Sequence, residues 1–145
     1  MAQNSINRYH FLVDWGGTRV GFAEVSGLNI EIEVVAVRDG SSAVDSGAKI
    51  PGIRKFSNII LKRGIMKGDN EFFNWINTKS NGDIQPRDVV INLLDETHAP
   101  IFTWKLKNAF PIKYIGPVLV ADDSQIALET LELTHEGLTV ISQNN

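Results

Sequence analysis

His10, His98 and His135 are the side chains that titrate nearest neutral pH, and no cysteine adds a thiolate to the 145-residue chain. They lie far apart, and none has a second ligand-type residue one helical or tight turn away. His135 beside Glu136 is the best metal pair, but a histidine at a strand end explains it more simply. Asp95-Glu96 offers two carboxylates, yet adjacent residues at a strand end point in different directions and read as solvated turn residues, not an acid/base pair. Residues 62–68 (KRGIMKG) mix glycine and base without the Gly-x4-Gly-Lys-Ser/Thr order that cradles phosphate. No Gly-x-Ser-x-Gly nucleophile motif occurs. Aromatics sit within apolar alternation, which argues against a stacking platform for single strands. Trp15, Trp75 and Trp104 read as core or interface anchors. The expectation is a protein that is no enzyme, with no catalytic residues, no metal and no cofactor.

The elements that carry these residues are mostly strands. Residues 9–15 (YHFLVDW) and 19–25 (RVGFAEV) flank Gly16-Gly17-Thr18, which reads as a hairpin turn. Residues 29–37 alternate, with Ile30, Ile32 and Val34 on one face and Glu31 and Glu33 on the other. Residues 57–63, 88–95 and 101–108 follow as strands. In 126–135 (IALETLELTH) the apolar phase slips between Leu128 and Leu131, which predicts a β-bulge. Residues 69–79 open with Asp and space Phe72, Phe73 and Ile76 as a helix does, with Trp75 on the apolar side and Gly82 ending it. Residues 114–124 hold at most a short edge strand because of Pro117. Residues 38–52 form an irregular Gly/Ser-rich link, the core of a long protruding loop over about 38–56; loops of that length are usually functional. The composite is mainly β: an antiparallel sandwich or partly closed barrel of roughly seven or eight strands with one short helix.

Length, with 43% apolar and 21% charged residues, suits one globular domain over 1–145. No apolar run approaches the ~20 residues of a membrane span, and the N-terminus carries no secretory h-region, so synthesis in the cytoplasm is expected. The net charge of −3 hides a polarity. Six basic residues and no acid occupy 49–67, whereas 122–145 has five acids and no Lys or Arg. Either the two segments neutralise each other within one subunit, or they meet head to tail between copies.

The motif order extends along nearly the whole chain. Gly21-Phe-Ala-Glu-Val-Ser-Gly-Leu28, Glu31-Ile-Glu33, Arg38-Asp-Gly40 and Lys49-Ile-Pro-Gly52 come first. Ile59-Ile-Leu-Lys-Arg-Gly64, Asp95-Glu96, Asn108-Ala-Phe-Pro111 and Leu133-Thr-His-Glu-Gly-Leu138 follow. This series resembles the tail-tube family of contractile phages, which also supplies inner tubes of phage-tail-like contractile injection systems. Residues 13–19 (VDWGGTR) most resemble tubes of the extracellular systems.

The resemblance implies a protomer that joins its neighbours in a ring-shaped β-barrel, with the helix on the outer side. Hexameric rings stack into a hollow tube, which a contracting sheath drives through a target envelope. Implied partners are other copies of the chain, the sheath, baseplate and tube-terminating proteins, and a cargo effector or DNA in the lumen, without stable membrane insertion of the isolated subunit. The particle would be extracellular or virion-associated. On this reading the inter-subunit contact candidates are Arg38, Asp39, Asp45, Lys49, Arg54, Lys55, Lys62, Arg63, Asp122, Asp123, Glu132 and Glu136. Glu31 and Glu33 would face the lumen or a neighbour, with Ile30, Ile32 and Val34 turned to the protomer core. A phage tube conducting DNA, a small-ligand-binding β-barrel and a hydrolase on a β scaffold are the competing readings.

Overall fold

The computed structural model describes residues 10–19, 21–37, 47–78, 82, 84–122 and 125–142. These form β1 (Phe11–Asp14), β2 (Phe22–Ser26), β3 (Ile30–Val37), β4 (Ala48–Phe56), β5 (Ile59–Gly64), α1 (Glu71–Asn77), β6 (Arg87–Leu94), β7 (Pro100–Ile115), β8 (Leu128–Thr134) and β9 (Gly137–Ser142). Every pairing is antiparallel.

β7 organises the body. Its first half lies between β6 and β9, with β1 beyond β6; its second half pairs with β8, followed by β5 and β2. β8 and β9 act as two halves of one strand, because Lys107↔Gly137 and Phe110↔Thr134 continue the same register past the join. Both ribbons bend together at Asn108, whose φ is 49°, and at His135-Glu136. The result is a long two-stranded ribbon shared by two sheets. β1 and β2 end the path without pairing to each other, so the sandwich stays open and does not close as a barrel.

The two halves pack face to face through alternating positions. Val89, Ile91 and Leu106 from one side meet Ile59, Leu61, Leu131 and Leu133 from the other in one buried cluster. Phe72 and Trp75 of α1 complete it with Trp15, whose ring meets Phe72 edge-on at 5.0 Å. Both buried indole nitrogens are satisfied, by Thr18 O at 2.8 Å and Gln85 O at 3.0 Å. The helix begins at Glu71, whose amide donates to Asp69 Oδ1, and Phe73 turns outward to lie edge-on against Tyr114.

Several expectations change. Gly16-Gly17-Thr18 is not a hairpin turn, since β1 pairs with β6 and β2 with β5. It crosses between the halves, where the Glu71 carboxylate accepts Thr18 N and Oγ1, both at 2.7 Å. The phase slip in β8 is not a bulge, because its ladder with β5 runs unbroken from Leu128 to Leu133. Leu128 points out while Glu129 takes the inward place between Leu131 and the sheet end. The bulge lies across from β8 on its other side, at Ile112 of β7. β9 adds a strand beyond those expected. Residues 48–56, expected in the long loop, lie in β4 instead, and residues 38–46 of that expectation lie outside the described residues. Residues 114–124 form no strand beyond Ile115 among the described residues, leaving Val118, Leu119 and Ile126 strongly exposed.

Candidate functional site

The feature that sets this molecule apart is an arm. Among the described residues β3 and β4 pair with each other and with no other strand. The β3 pattern IEIEVVAV would suit a half-buried strand, but all eight of its residues are exposed. Ile30, Ile32 and Val34, expected in the protomer core, are 52%, 50% and 61% exposed. Their face is shared with Phe56, Arg54, Pro51 and Lys49, and the reverse face presents Val35, Val37 and Ile50. A bulge at Gly52-Ile53 makes this possible, since β4 supplies one residue more than β3 between the Ile32↔Arg54 and Val34↔Pro51 pairs. A Cβ at Gly52 would sit 2.8 Å from Glu33 O, so the bulge requires glycine there.

The sheet edges are the second feature. Among the described residues β1, β2 and β9 each leave one side unpaired, as does the second half of β7. Between β2 and the face of β6–β7 lies an open groove of about 670 Å³, walled by Phe11, Phe22, Val25, Leu28, Leu93 and Trp104.

The charged candidates divide into three groups. Arg63 is only 1% exposed and cannot meet another subunit. Its Nε donates to Glu129 Oε1 at 2.8 Å, and its terminal nitrogens hold Asp69 at 3.0 and 3.2 Å. The guanidinium lies 4.0 Å from the Phe72 ring centroid, and Tyr114 donates its hydroxyl to Glu129 Oε2. Burial, then the bond to Glu129, pushes the Tyr114 phenol above its ordinary value and keeps it a donor. Thus the basic and acidic segments do meet at Arg63 and Glu129, within one subunit. Lys62 leans on Glu24 at 3.6 Å, Lys55 on Glu33 at 4.0 Å, and Glu132 and Glu136 accept from Asn58 and Asn108. Glu31 sits opposite Lys55 on the arm. Lys49, Arg54 and Asp122 are exposed, and Arg38, Asp39, Asp45 and Asp123 lie outside the described residues.

The histidines disperse to separate tasks. His10 and His98 stack at 5.3 Å, while His135 sits at the root of the arm against Phe56. Among the described residues no group of three or more metal-ligating side chains forms. Among them also, no helix is long and apolar enough to cross a membrane.

An open sandwich with a projecting apolar ribbon fits a subunit built to meet copies of itself. The T4-like virus tail tube protein gp19 family matches residues 7–139. The chain belongs to this tail tube family. A solved chain of the anti-feeding prophage tube-terminating cap is 30% identical with a TM-score of 0.88, covering 99% of this chain and 95% of that one. A chain of the PVC extracellular contractile injection system sheath–tube complex is 29% identical, also at 0.88, over 97% and 94%. Hcp1 from Flavobacterium johnsoniae, at 13% identity and 0.58, shares the fold over 92% and 95%. No curated protein sequence matches. As a tail tube protein the chain is a structural tube subunit.

Sequence reasoning missed the buried side of the charge pattern. Glu129 could have been found there, because a lone acid on the apolar phase of an otherwise regular strand demands a buried cation. His135 as an arm anchor had no local signal.

Proposed function

We propose that this tail tube subunit serves an extracellular contractile injection system. Copies join edge to edge as single tail-tube domains in hexameric rings, and the rings stack into a hollow tube that a contracting sheath drives through a target envelope. The observation that carries the assembly is the arm. A two-stranded ribbon with apolar side chains exposed on both faces is marginal in water, and cover from a neighbouring subunit removes both problems. Open edges support the same reading, since pairing between protomers closes them.

The tube works by transport and puncture without a bond-making step, so the chain is no enzyme. Its partners are its own copies, sheath, baseplate and terminating proteins, and the cargo. The full-length likeness to a chain of the PVC complex supports the injection system. A phage tube conducting DNA is the second reading, supported by the T4-like family match. Lys49, Arg54, Lys62 and Asp122 are proposed contact residues, and Glu31 and Glu33 face a neighbour or the lumen. The sheet between β2 and β7 carries mixed charge, with Glu24, Lys62, Glu132 and Lys113 on one face, and would not hold a phosphate cargo electrostatically if it lined the lumen.

Negative-stain microscopy of the purified protein tests the class, with rings or tubes expected; monomers alone at every concentration would overturn it. Neighbouring genes separate the two cargo readings. An ATPase and toxin without capsid genes indicate an injection system, whereas a capsid and terminase indicate a phage.

A further inference from the structure

We propose that His135 is the positioning residue of the arm: its ring clamps the hinge at Ser57 and fixes the direction in which β3–β4 leaves the body. Two short legs join arm to body, Gly27–Asn29 and Ser57–Asn58. The legs meet each other through two long contacts, and one shorter bond lies within the first leg. Asn29 N donates to Gly27 O at 2.7 Å, Ser57 N reaches Asn29 O at 3.4 Å, and Asn29 Nδ2 reaches Ser57 Oγ at 3.5 Å. Leu28 packs the first leg against the core, whereas these long contacts hold the second leg, Ser57–Asn58, only loosely.

What holds the second leg comes from elsewhere in the chain. His135 Nε2 lies 3.1 Å from Ser57 O, and its ring centroid is 5.4 Å from that of Phe56, the last residue of β4. A carbonyl only accepts, so the proton sits on Nε2. Nδ1 is then left buried without a partner. A side chain that leaves a buried nitrogen unpaired has an energetic cost, which the double grip on Phe56 and Ser57 offsets. Asn58 adds a second tie, from Nδ2 to Glu132 Oε2 at 2.9 Å, on the same strand as His135's approach.

The position of His135 gives the clamp its consequence. It occupies the bend between β8 and β9, where Asn108 Nδ2 holds Glu136 Oε2 at 2.6 Å and Asn108 N donates to Asp88 Oδ1. The arm is therefore rooted where the body turns from one sheet to the other, so arm direction and body curvature are set by the same few residues.

This inference rests on the reading that the arm docks on a neighbouring subunit. The test uses full-length His135→Met, which keeps bulk but removes the donor, His135→Gln, whose Nε2 can still donate to Ser57 O, and Ile32→Asp on the arm face. Hydrogen exchange of the unassembled subunit reads the hinge; sedimentation reads assembly. His135→Met should speed exchange at 29–32 and 54–57 roughly tenfold, with little change in the core strands, and lower the pelleted fraction. His135→Gln should restore both. Wild-type arm exchange in His135→Met, or Gln behaving like Met, overturns the clamp. Normal pelleting of Ile32→Asp overturns the docking reading alone, because the hinge exchange is measured without assembly. Should His135→Met fail to fold, His135→Phe against His135→Gln makes the same comparison.

Discussion

Arg63 Nε lies 2.8 Å from Glu129 Oε1 at directly opposed positions of β5 and β8, and the two residues are 1% and 5% exposed. The pair ties the sheet to the start of α1 through Asp69 and to the second half of β7 through Tyr114. Removing one partner strands the other charge in the core. Glu129→Gln or Arg63→Met should each lower unfolding stability by about 3–5 kcal/mol in urea titration, whereas Arg63→Met with Glu129→Leu should recover much of that loss. Single variants within ~0.5 kcal/mol of the wild type would refute the role.

Asp69 sets an acid dependence. Burial opposes its ionisation, but the Glu71 amide and the Arg63 guanidinium outweigh that and hold its carboxyl below the ordinary 3.8. A folded value below the unfolded one gives stability that is complete above 3.8 and lost as pH falls through the lower folded value. Unfolding free energy measured between pH 5 and 2 should therefore drop at the acid end, and Asp69→Asn should flatten part of that drop. An unchanged slope in the variant would exclude Asp69 as its source.

The arm faces should matter to assembly and little to folding. Val34→Asp or Ile50→Asp places a charge on an already exposed position, so the melting temperature should hold within a few degrees. Pelleted tube should fall sharply in the same samples. Tubes of normal yield from both variants would mean that neither face is covered in the particle.

Charge reversal must separate Lys62 from Arg63. Lys62→Glu breaks only a half-exposed pair with Glu24, expected to cost under about 1 kcal/mol. Any assembly defect in that variant should vary with salt, read by sedimentation at 50 and 500 mM. A defect insensitive to salt would point to packing instead of charge.

Gly27 has φ +92°, and an added Cβ would fall 2.0 Å from Asn58 O. Gly27→Ala should cost about 1–3 kcal/mol and loosen the arm root, detectable by calorimetry and by exchange at residues 29–32. A fully stable variant would show that the legs can part without penalty.

Period-two alternation revealed most of the strands because 59/61, 89/91 and 131/133 obey it in both sequence and core. Helix α1 was legible from its aromatics for the same reason, at a different period. Three things were hidden. Partner choice is non-local, so Gly16-Gly17-Thr18 looked like a hairpin although its strands pair elsewhere. An inward glutamate imitates a bulge until its arginine is known. Burial also depends on what covers a face, and β3 carries a half-buried pattern that no described residue covers. Of the charged candidates, the sequence distinguished none as internal, because Lys62 and Arg63 differ only in which side of β5 they take.

The shared strand has a mechanical corollary. β7 has 16 residues, about 50 Å of extended chain, and it belongs to both sheets with β8–β9 alongside. A sandwich of two separate sheets can slip along the side chains between them. Here a push on either sheet travels into the other along covalent backbone, and the slip plane is pinned at Asn108.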